Sequence, residues 1–238
     1  MEKELYLTDS YQTSCETFIK EIHENKVTLN QTVFYPTGGG QPFDTGFLKQ
    51  GENEFKVEKV KRDNGEIIHY IKDTTNLCLG NVTAQINWDR RYKFMRYHTL
   101  LHVIAAHLYN KFGALAKSSE IYEDNRARLD MQFEEGAPED YFTVMEKEIH
   151  EIIEENHLIS TRCLPRKEVE NIPGSIKTVI NLLPPSIQTI RLVAISDLDE
   201  QACGGTHVKS TKEIESFSIN KIKNKGPHIK RIEITIAD

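Results

Sequence analysis

Short segments of alternating hydrophobic and polar residues dominate the first third of the chain. Such alternation, with many β-branched and aromatic residues, predicts strands that bury one face. The segments begin at Lys26, Thr32, Glu54, Glu66 and Asn81. The pair Asn64-Gly65 predicts a tight hairpin turn, because both residues tolerate positive φ angles. Residues 14–25 fit either a first strand or a short helix. Several short strands at this spacing predict a small barrel or sandwich.

A helical pattern replaces the alternation near Trp88. Apolar residues then recur every three or four positions, which predicts a long helix with one buried face. They are Phe94, Leu101, Ala105, Leu108 and Phe112. We expect Asp89 to cap the start of this helix and Gly113 to end it. A second helix is expected to start at Pro138. Its inward-facing residues should be Phe142, Met145, Ile149 and Ile152.

Strand patterns return toward the C-terminus. Residues 189–195 predict a buried strand, and residues 213–222 and 228–237 predict the two arms of a hairpin. The turn between the arms should lie at 225–227, where a glycine and a proline follow a lysine. In the last arm three isoleucines alternate with polar residues, so one face of that strand should pack on a core. They are Ile232, Ile234 and Ile236.

These patterns together predict an α+β protein with two domains. Residues 1–88 should form a small β-barrel that carries the glycine-rich GGGQP loop. Residues 89–238 should form an α+β domain, in which an antiparallel sheet packs on a central helix. We place the domain boundary at Trp88, where the periodicity changes.

Composition and charge narrow the class of protein. The chain is 38% hydrophobic and 28% charged, which is typical of globular proteins. Its formal net charge of −6 argues against broad, non-specific nucleic-acid binding. Residues 221–231 are nevertheless dense in lysine and arginine. They could contact phosphates, or they could be a solvated hairpin whose lysines protect a sheet edge.

The cysteines and the N-terminus indicate where the protein resides. The four cysteines are irregularly spaced, so they do not predict a disulfide framework. No signal-peptide core and no apolar run of membrane-spanning length is present. We therefore expect a soluble cytoplasmic protein that has no membrane partner.

Two histidines on the first helix are candidate metal ligands. His98 and His102 are four residues apart, so they project from the same helical face. About a hundred residues later, Cys203 and His207 flank two glycines and a threonine. Three imidazoles and one thiolate lie within the usual repertoire of zinc. Each pair alone is a weak signal, because buried core histidines are common. Together they predict one zinc ion per chain.

The role of that zinc ion stays open at this point. Four protein ligands are typical of a structural site, whereas a catalytic zinc ion keeps a position for water or substrate. A metalloprotease is disfavoured, because no glutamate follows His98 to serve as general base.

The second motif is the string FYPTGGGQPFDTG over residues 34–46. Three consecutive glycines, Gly38 to Gly40, allow close approach of a ligand and can present N–H groups to an anion. Gln41 is a polar group held next to a proline. The string is neither a Walker loop nor a dinucleotide-binding turn. Alone it predicts a binding loop of unknown ligand, or a flexible barrel loop.

Three motifs in series resemble the editing module of alanyl-tRNA synthetase. They are residues 34–46, His98-Thr-Leu-Leu-His102, and QACGGTHV over residues 201–208. The resemblance covers essentially the whole chain. Because no aminoacylation domain precedes the motifs, we expect a free-standing alanyl-tRNA editing protein (AlaX) of the medium-length class.

The resemblance implies an activity and a partner. The family hydrolyses mischarged tRNA(Ala), chiefly Ser-tRNA(Ala), at the ester that joins the amino acid to the terminal adenosine; Gly-tRNA(Ala) is a further possible substrate. The partner is therefore tRNA(Ala) carrying the wrong amino acid, and no ATP is required. The resemblance does not predict an oligomeric state.

The resemblance also implies roles for individual residues. The zinc ligands would be His98, His102, Cys203 and His207. The substrate-binding residues would be Gly38, Gly39, Gly40, Gln41 and Thr206. Among these, Gln41 would lie near the seryl hydroxyl. The motifs contain no unambiguous general base, so no catalytic side chain is assigned, and a water positioned by zinc is expected. Residues 128–130 keep the family's usual Arg-Phe-Asp pattern only in part and receive no role.

Two alternatives remain. The chain could be a non-catalytic tRNA-binding module in which the zinc ion is structural. It could also be an editing domain of the threonyl-tRNA synthetase type, which has similar zinc-binding motifs. The GGGQP loop favours the alanyl type.

Overall fold

Two compact units make up the chain, as seen in a computed structural model. The structure describes residues 3–136, 139–172, 174–175, 177–178 and 187–237. The units are Met1–Phe94 and Met95–Asp238. The domain boundary at Trp88 stays a prediction. The expected helix start at Pro138 lies outside the described residues.

The first unit is built on a closed six-stranded antiparallel barrel, as predicted. Around the barrel the order is β2-β3-β7-β6-β5-β8, and the short strands β1 and β4 form a separate parallel pair. The strand bounds are β1 Lys3–Glu4, β2 Ser14–His23, β3 Lys26–Leu29, β4 Gln31–Thr32, β5 Gly46–Gln50, β6 Asn53–Asp63, β7 Glu66–Ile71 and β8 Gly80–Ile86.

Local signals account for most of the barrel. Along β2 buried and exposed residues alternate, which settles the ambiguous segment in favour of a strand. The turn between β6 and β7 has positive φ at Asn64 (48°) and Gly65 (86°), so the hairpin prediction is confirmed. The segment that begins at Thr32 was predicted as a strand over residues 32–34, which is too long. Its strand ends at Thr32, and the buried Val33 and Phe34 lead directly into the glycine-rich loop.

A buried histidine lies inside the first unit. His69 on β7 is fully buried, with its Nδ1 3.2 Å from Val27 O and its Nε2 2.8 Å from Thr32 Oγ1. The Val27 carbonyl accepts a hydrogen bond from Nδ1–H. The neutral ring therefore accepts a hydrogen bond at Nε2 from the hydroxyl of Thr32. Burial lowers the pKa of His69 to about 4 despite the hydrogen bond to Val27.

The first helix, α1, spans Trp88–Phe112. It ends as predicted at Gly113, which has a φ of +65° and donates its N–H to Tyr109 O at 2.7 Å. The predicted cap was wrong. Asn87 Oδ1 accepts the N–H of Arg90 at 3.1 Å and caps the helix, because the helix begins at Trp88, two residues earlier than a cap at Asp89 implies. Asp89 instead lies in the first turn, where its charge favours the positive end of the helix dipole.

Burial of α1 is broader than the predicted single face. Between Phe94 and Leu108 nearly all side chains are buried, including residues outside the apolar stripe such as Met95 and Val103. Phe112, by contrast, is only half-buried. Tyr97 shows how the second unit surrounds the helix: its hydroxyl accepts the N–H of Ile236 at 3.0 Å. The helix is therefore central in that unit rather than lying on a surface.

In its described residues the second unit has two antiparallel sheets and few helices, which confirms the predicted α+β class. One sheet has the strand order β14-β15-β10-β9 and the other β11-β12-β13. The bounds are β9 Leu115–Ile121, β10 Ala127–Gln132, α2 Met145–Glu154, β11 Ile159–Pro165, α3 Arg166–Val169, β12 Thr189–Ile195, β13 Asp199–Ala202, β14 Phe217–Gly226 and β15 Ile229–Ile236.

The predicted hairpin is present as β14 and β15, and its three alternating isoleucines are buried. The first arm starts later than expected, because residues 211–214 form a short 3-10 helix with a capping box between Ser210 and Glu213. In α2 the buried residues are Met145, Ile149 and Ile153. Ile153 takes the place predicted for Ile152, since it lies four residues after Ile149 on the same face.

Many basic groups of the hairpin already have partners. Lys223 lies 2.5 Å from Glu233, and Arg231 Nε donates to Asp130 at 2.7 Å. Lys230 is buried, whereas Lys221 and Lys225 are exposed. Phosphate binding by this hairpin stays a prediction. Among the described residues, no helix is long and apolar enough to cross a membrane.

Candidate functional site

Four potential metal ligands come together in the second unit. His98 and His102 project from α1, and Cys203 and His207 come from the turn that follows β13. One ligand atom from each of the four residues lies within 4.8 Å of the others. The sequence separation between the two pairs is more than a hundred residues, so only the fold unites them. These are the four residues that the sequence pattern grouped.

The contacts within this cluster centre on the sulfur atom. Cys203 Sγ lies 3.6 Å from His98 Nε2 and 3.4 Å from His207 Nε2. The backbone N–H of Gly205 donates to the same sulfur at 3.3 Å. The imidazole of His102 lies 4.6 Å from that of His207, measured between ring centres.

Thr99 fixes the orientation of His207. Its hydroxyl is fully buried and lies 3.1 Å from His207 Nδ1, and it also accepts the N–H of Val208 at 3.3 Å. When Nδ1–H donates to Thr99, the lone pair of Nε2 is left facing the sulfur. A histidine that binds a metal commonly has its other nitrogen held in this way. The sequence reasoning missed Thr99, although it lies inside the HTLLH motif.

Arg191 fixes the turn that carries Cys203. Its Nη1 donates to the carbonyl oxygens of Cys203 and Gly205, both at 2.9 Å. In return, the N–H of Cys203 donates to Arg191 O at 3.1 Å. One signal in the sequence could have indicated this role, namely a single arginine inside strand β12, whose other residues after Thr189 are apolar. A charge in such a strand needs partners, and here they are backbone carbonyls of the turn.

The electrostatics of the cluster favour a thiolate. Burial alone would raise the pKa of the Cys203 thiol, but the charges of His98 and His102, together with a hydrogen bond from His102, outweigh burial and hold that pKa well below its usual value. Burial would likewise lower the pKa of His102, yet the charge of Cys203 raises it. Burial, reinforced by His98, lowers the pKa of His207 to about 3. His207 is therefore a neutral imidazole beside a thiolate, which is the ionisation that metal binding requires.

The donor set fits a metal ion. One thiolate and three imidazole groups suit a tetrahedral site of the zinc type. In addition, Nδ1 of His102 is buried and has no hydrogen-bond partner among the described residues. Buried polar atoms without a partner are rare, so a further interaction with this ring is expected. The group could hold one metal ion.

The glycine-rich loop has a defined conformation in the first unit. Gly38 and Gln41 exchange backbone hydrogen bonds, with Gln41 N to Gly38 O at 2.9 Å and Gly38 N to Gln41 O at 3.2 Å. Between them Gly39 and Gly40 have φ angles of +56° and +81°. The consecutive glycines therefore form a tight two-residue turn that side chains would strain. Gln41 is fully buried, and Gly38 and Gly40 are half-buried.

Comparison with known proteins extends this description. Residues 4–90 match the family model of class II (A) tRNA synthetases, and residues 190–233 match that of the threonyl and alanyl tRNA synthetase second additional domain. The alanyl-tRNA editing protein AlaX-M of Saccharolobus solfataricus is 41% identical over 239 residues, which cover 99% of both chains. The chain belongs to the AlaX-M family. The AlaX-M protein of Methanosarcina acetivorans, 37% identical, is likewise covered over its full length.

A longer protein shares the same region. The alanine–tRNA ligase of Saccharolobus islandicus is 30% identical over 236 residues, which are 97% of this chain but 26% of the ligase. The resemblance to free-standing AlaX proteins and to an alanyl-tRNA synthetase module is thus confirmed. Thr206, which the AlaX resemblance assigns to the substrate, is fully buried beside the ligand His207.

Proposed function

We propose that the chain is a free-standing editing enzyme that hydrolyses mischarged tRNA(Ala), chiefly Ser-tRNA(Ala), with one zinc ion per chain. The observation that carries this proposal is the cluster of three histidines and one cysteine in a chain of the AlaX-M family. The zinc assignment rests on the donor set, since thiolate and imidazole together suit zinc. The metal ligands would be His98, His102, Cys203 and His207.

The proposed reaction is the hydrolysis of an aminoacyl ester. Water attacks the carbonyl carbon, the bond between that carbon and the ribose oxygen breaks, and the free amino acid leaves the tRNA. Such an ester is already activated, so catalysis requires mainly a positioned water and stabilisation of the developing oxyanion. When bound, the zinc ion supplies Lewis-acid stabilisation and orientation. Apart from water, the reaction consumes no co-reactant, and it does not require ATP.

The protein's own contribution is to hold this site in a fixed geometry. Thr99 keeps His207 in the tautomer that leaves Nε2 free to bind. Arg191 and the N–H of Gly205 keep the Cys203 turn closed around the sulfur. Preorganisation of this kind reduces the rearrangement that is needed when the substrate reacts.

Selectivity is proposed to depend on Gln41 in the glycine-rich loop. The apolar aminoacylation pocket of a synthetase cannot strongly reject an amino acid that merely adds a hydroxyl. A second site that hydrolyses the wrong ester is therefore useful. A polar group that hydrogen-bonds the seryl hydroxyl would be left unsatisfied by alanine. We assign this group to Gln41, and we propose that Gly38, Gly39, Gly40 and Thr206 are further substrate-binding residues.

One assay tests the proposed function directly. Purified protein is incubated with tRNA(Ala) charged with serine, glycine or alanine, with and without a chelator that removes zinc. We expect rapid loss of the serine ester, little loss of the alanine ester, and recovery of the chelated protein on addition of Zn²⁺. Seryl ester that survives at the uncatalysed rate would contradict the proposal. In the same assay Gln41→Ala should slow hydrolysis of the serine ester without weakening tRNA binding.

A non-catalytic tRNA-binding module is the second candidate. Four protein ligands are typical of a closed, structural zinc site, and the structure brings four together. This candidate predicts binding of tRNA(Ala) without deacylation. A threonyl-type editing domain is disfavoured, because the full-length relatives carry the alanyl name. Seryl-tRNA(Thr) is the control that separates the two editing types.

We also propose a cytoplasmic location, which the free state of all four cysteines supports.

A further inference from the structure

A fully buried ion pair lies at the base of the glycine-rich loop. Asp44 lies near the end of the string FYPTGGGQPFDTG, and Arg91 lies in the first turn of α1. Neither side chain is exposed to solvent at all. Arg91 Nε lies 3.1 and 3.0 Å from the two carboxylate oxygens of Asp44, and its Nη2 also donates to Oδ2. All of these atoms belong to the first unit.

The pair joins three separate segments of the chain. Arg91 Nη2 donates to Val33 O at 2.6 Å, and its Nη1 donates to Ser10 O at 2.9 Å. The carboxylate of Asp44 accepts the N–H of Tyr35 at 2.7 Å, and the N–H of Asp44 donates to Tyr35 O at 3.0 Å. These last two bonds close the loop at its neck, so the guanidinium holds both ends of residues 35–44.

Tyr35 connects the neck to the glycine turn. Its hydroxyl donates to Gly38 O at 2.9 Å, and its ring packs edge-on against Tyr6 with 5.3 Å between ring centres. Gly38 in turn exchanges backbone hydrogen bonds with Gln41. A continuous series of hydrogen bonds, buried from Arg91 to Tyr35 and part-buried at Gly38, thus runs from Arg91 through Asp44 and Tyr35 to the backbone of Gln41.

Such an arrangement is costly as a source of stability alone. Removing two charges from water carries a large desolvation penalty, and buried ion pairs can often be replaced by apolar side chains without loss of stability. A guanidinium with donors in a rigid fork instead specifies geometry, because it satisfies several acceptors at fixed angles. The pair is therefore better suited to fixing the loop than to stabilising the barrel.

We propose that Asp44 and Arg91 are positioning residues for substrate selection: they lock the glycine-rich loop in the conformation that presents Gln41. This inference rests on the proposed editing function. It implies that the ability to distinguish serine from alanine depends on the pair, even though neither residue contacts the substrate.

The test uses two variants of the full chain and a matched control. Arg91→Lys keeps the charge but lacks the fork of donors. The double variant Asp44→Leu/Arg91→Met removes both charges together, which avoids leaving one charge buried and unpaired. Arg62→Lys is the control, because Arg62 forms an exposed ion pair with Glu4 in the same unit, with 2.6 Å between Nη2 and Oε2.

Four quantities are measured on each variant. Amide hydrogen exchange of residues 35–44 reports whether the loop stays locked. The kcat/KM values for Ser-tRNA(Ala) and Ala-tRNA(Ala) give the selectivity. Zinc content and thermal unfolding report the general integrity of the protein. We expect faster exchange in the loop and about tenfold to hundredfold lower serine-over-alanine selectivity in both variants, with unchanged zinc content. The control should behave as the wild-type protein.

Each other outcome has a separate meaning. If the double variant is stable and keeps wild-type selectivity, the pair is merely structural and the inference is overturned. Unchanged exchange in residues 35–44 overturns it as well. If the wild-type protein deacylates neither ester, the proposed function fails and the selectivity role fails with it. The exchange data would still show whether the pair locks the loop, so the two failures are distinguishable.

Discussion

Replacement of Thr99 by valine tests how the metal cluster is held. Valine has nearly the shape of threonine, so the buried space stays filled while the hydroxyl is lost. Two buried donors then lose their acceptor, namely Nδ1–H of His207 at 3.1 Å and the N–H of Val208 at 3.3 Å. The ring of His207 is free to rotate or to change tautomer, and its Nε2 is no longer fixed toward Cys203.

The expected magnitude follows from these two hydrogen bonds. A buried donor left without a partner costs about 1–3 kcal/mol. The loss at Val208 affects the metal-free and metal-bound protein alike, so it lowers stability without changing zinc affinity. The loss at His207 acts on metal binding itself. Loss of an outer partner of a ligand histidine typically weakens metal binding about 10–100-fold, or about 1.4–2.8 kcal/mol.

Competition with a chromogenic chelator measures this affinity, and thermal unfolding with and without Zn²⁺ measures stability. Thr99→Ser is the matched control, because it keeps the hydroxyl and loses only a methyl group. We expect weaker zinc binding for Thr99→Val and near wild-type binding for Thr99→Ser. Equal zinc affinities for the wild-type protein and Thr99→Val would refute the assignment of Thr99 as the group that orients His207.

Three further predictions use other parts of the structure. Cys203→Ala should lose bound zinc and serine-ester hydrolysis together; full activity in a zinc-free preparation would contradict the metal proposal. Arg191→Met should bind zinc about tenfold more weakly, since the turn carbonyls lose their donor, and an unchanged dissociation rate of zinc would count against this. Because burial lowers the pKa of His69 to about 4, only the unfolded chain takes up this proton between about pH 6.5 and 4. The contribution of His69 to the free energy of unfolding should therefore fall by about 3 kcal/mol as the pH drops through this window, and it should be constant above it. Urea unfolding at several pH values should show the wild-type loss of stability in His23→Gln, an exposed control, and a loss smaller by about 3 kcal/mol in His69→Gln.

Features set by neighbours in sequence were predictable. The alternation of β15 and the Asn64-Gly65 turn depend on a few adjacent residues, and both are as predicted. Residues 14–25 were left open between a strand and a short helix, and the structure has strand β2 there. The end of α1 at Gly113 is likewise a local property, because only glycine readily adopts its positive φ. For the metal ligands, residue type and spacing sufficed to group them, although only the fold brings the ligand atoms close together.

Features set by long-range packing were not predictable in the same way. The hydrophobic stripe of α1 predicted one buried face, because nothing in the helix itself shows that β-sheets and loops of the second unit enclose it. The helix cap was misplaced for a different reason: asparagine and aspartate both suit an N-cap, and Asn87 and Asp89 lie only two residues apart. In α2 Ile153 is buried in place of Ile152, because a shift of one residue along a helix changes which face is buried.

The polar residues that support the two motifs share one property, which sequence patterns undervalue. Thr99 and Arg191 lie close to apolar residues, where the pattern treats them as interruptions, and Arg91 lies in a charged stretch that suggests exposure although its side chain is buried. A buried donor or charge without a partner is too costly to keep, so each interruption requires acceptors elsewhere in the fold. The partners prove to be Asp44 and Val33 O for Arg91, the turn carbonyls of Cys203 and Gly205 for Arg191, and the donors of His207 and Val208 for Thr99. A charged or hydroxylated residue inside an apolar segment thus indicates a contact with residues that are distant in sequence. In this chain such contacts end at the glycine-rich loop or at the metal ligands.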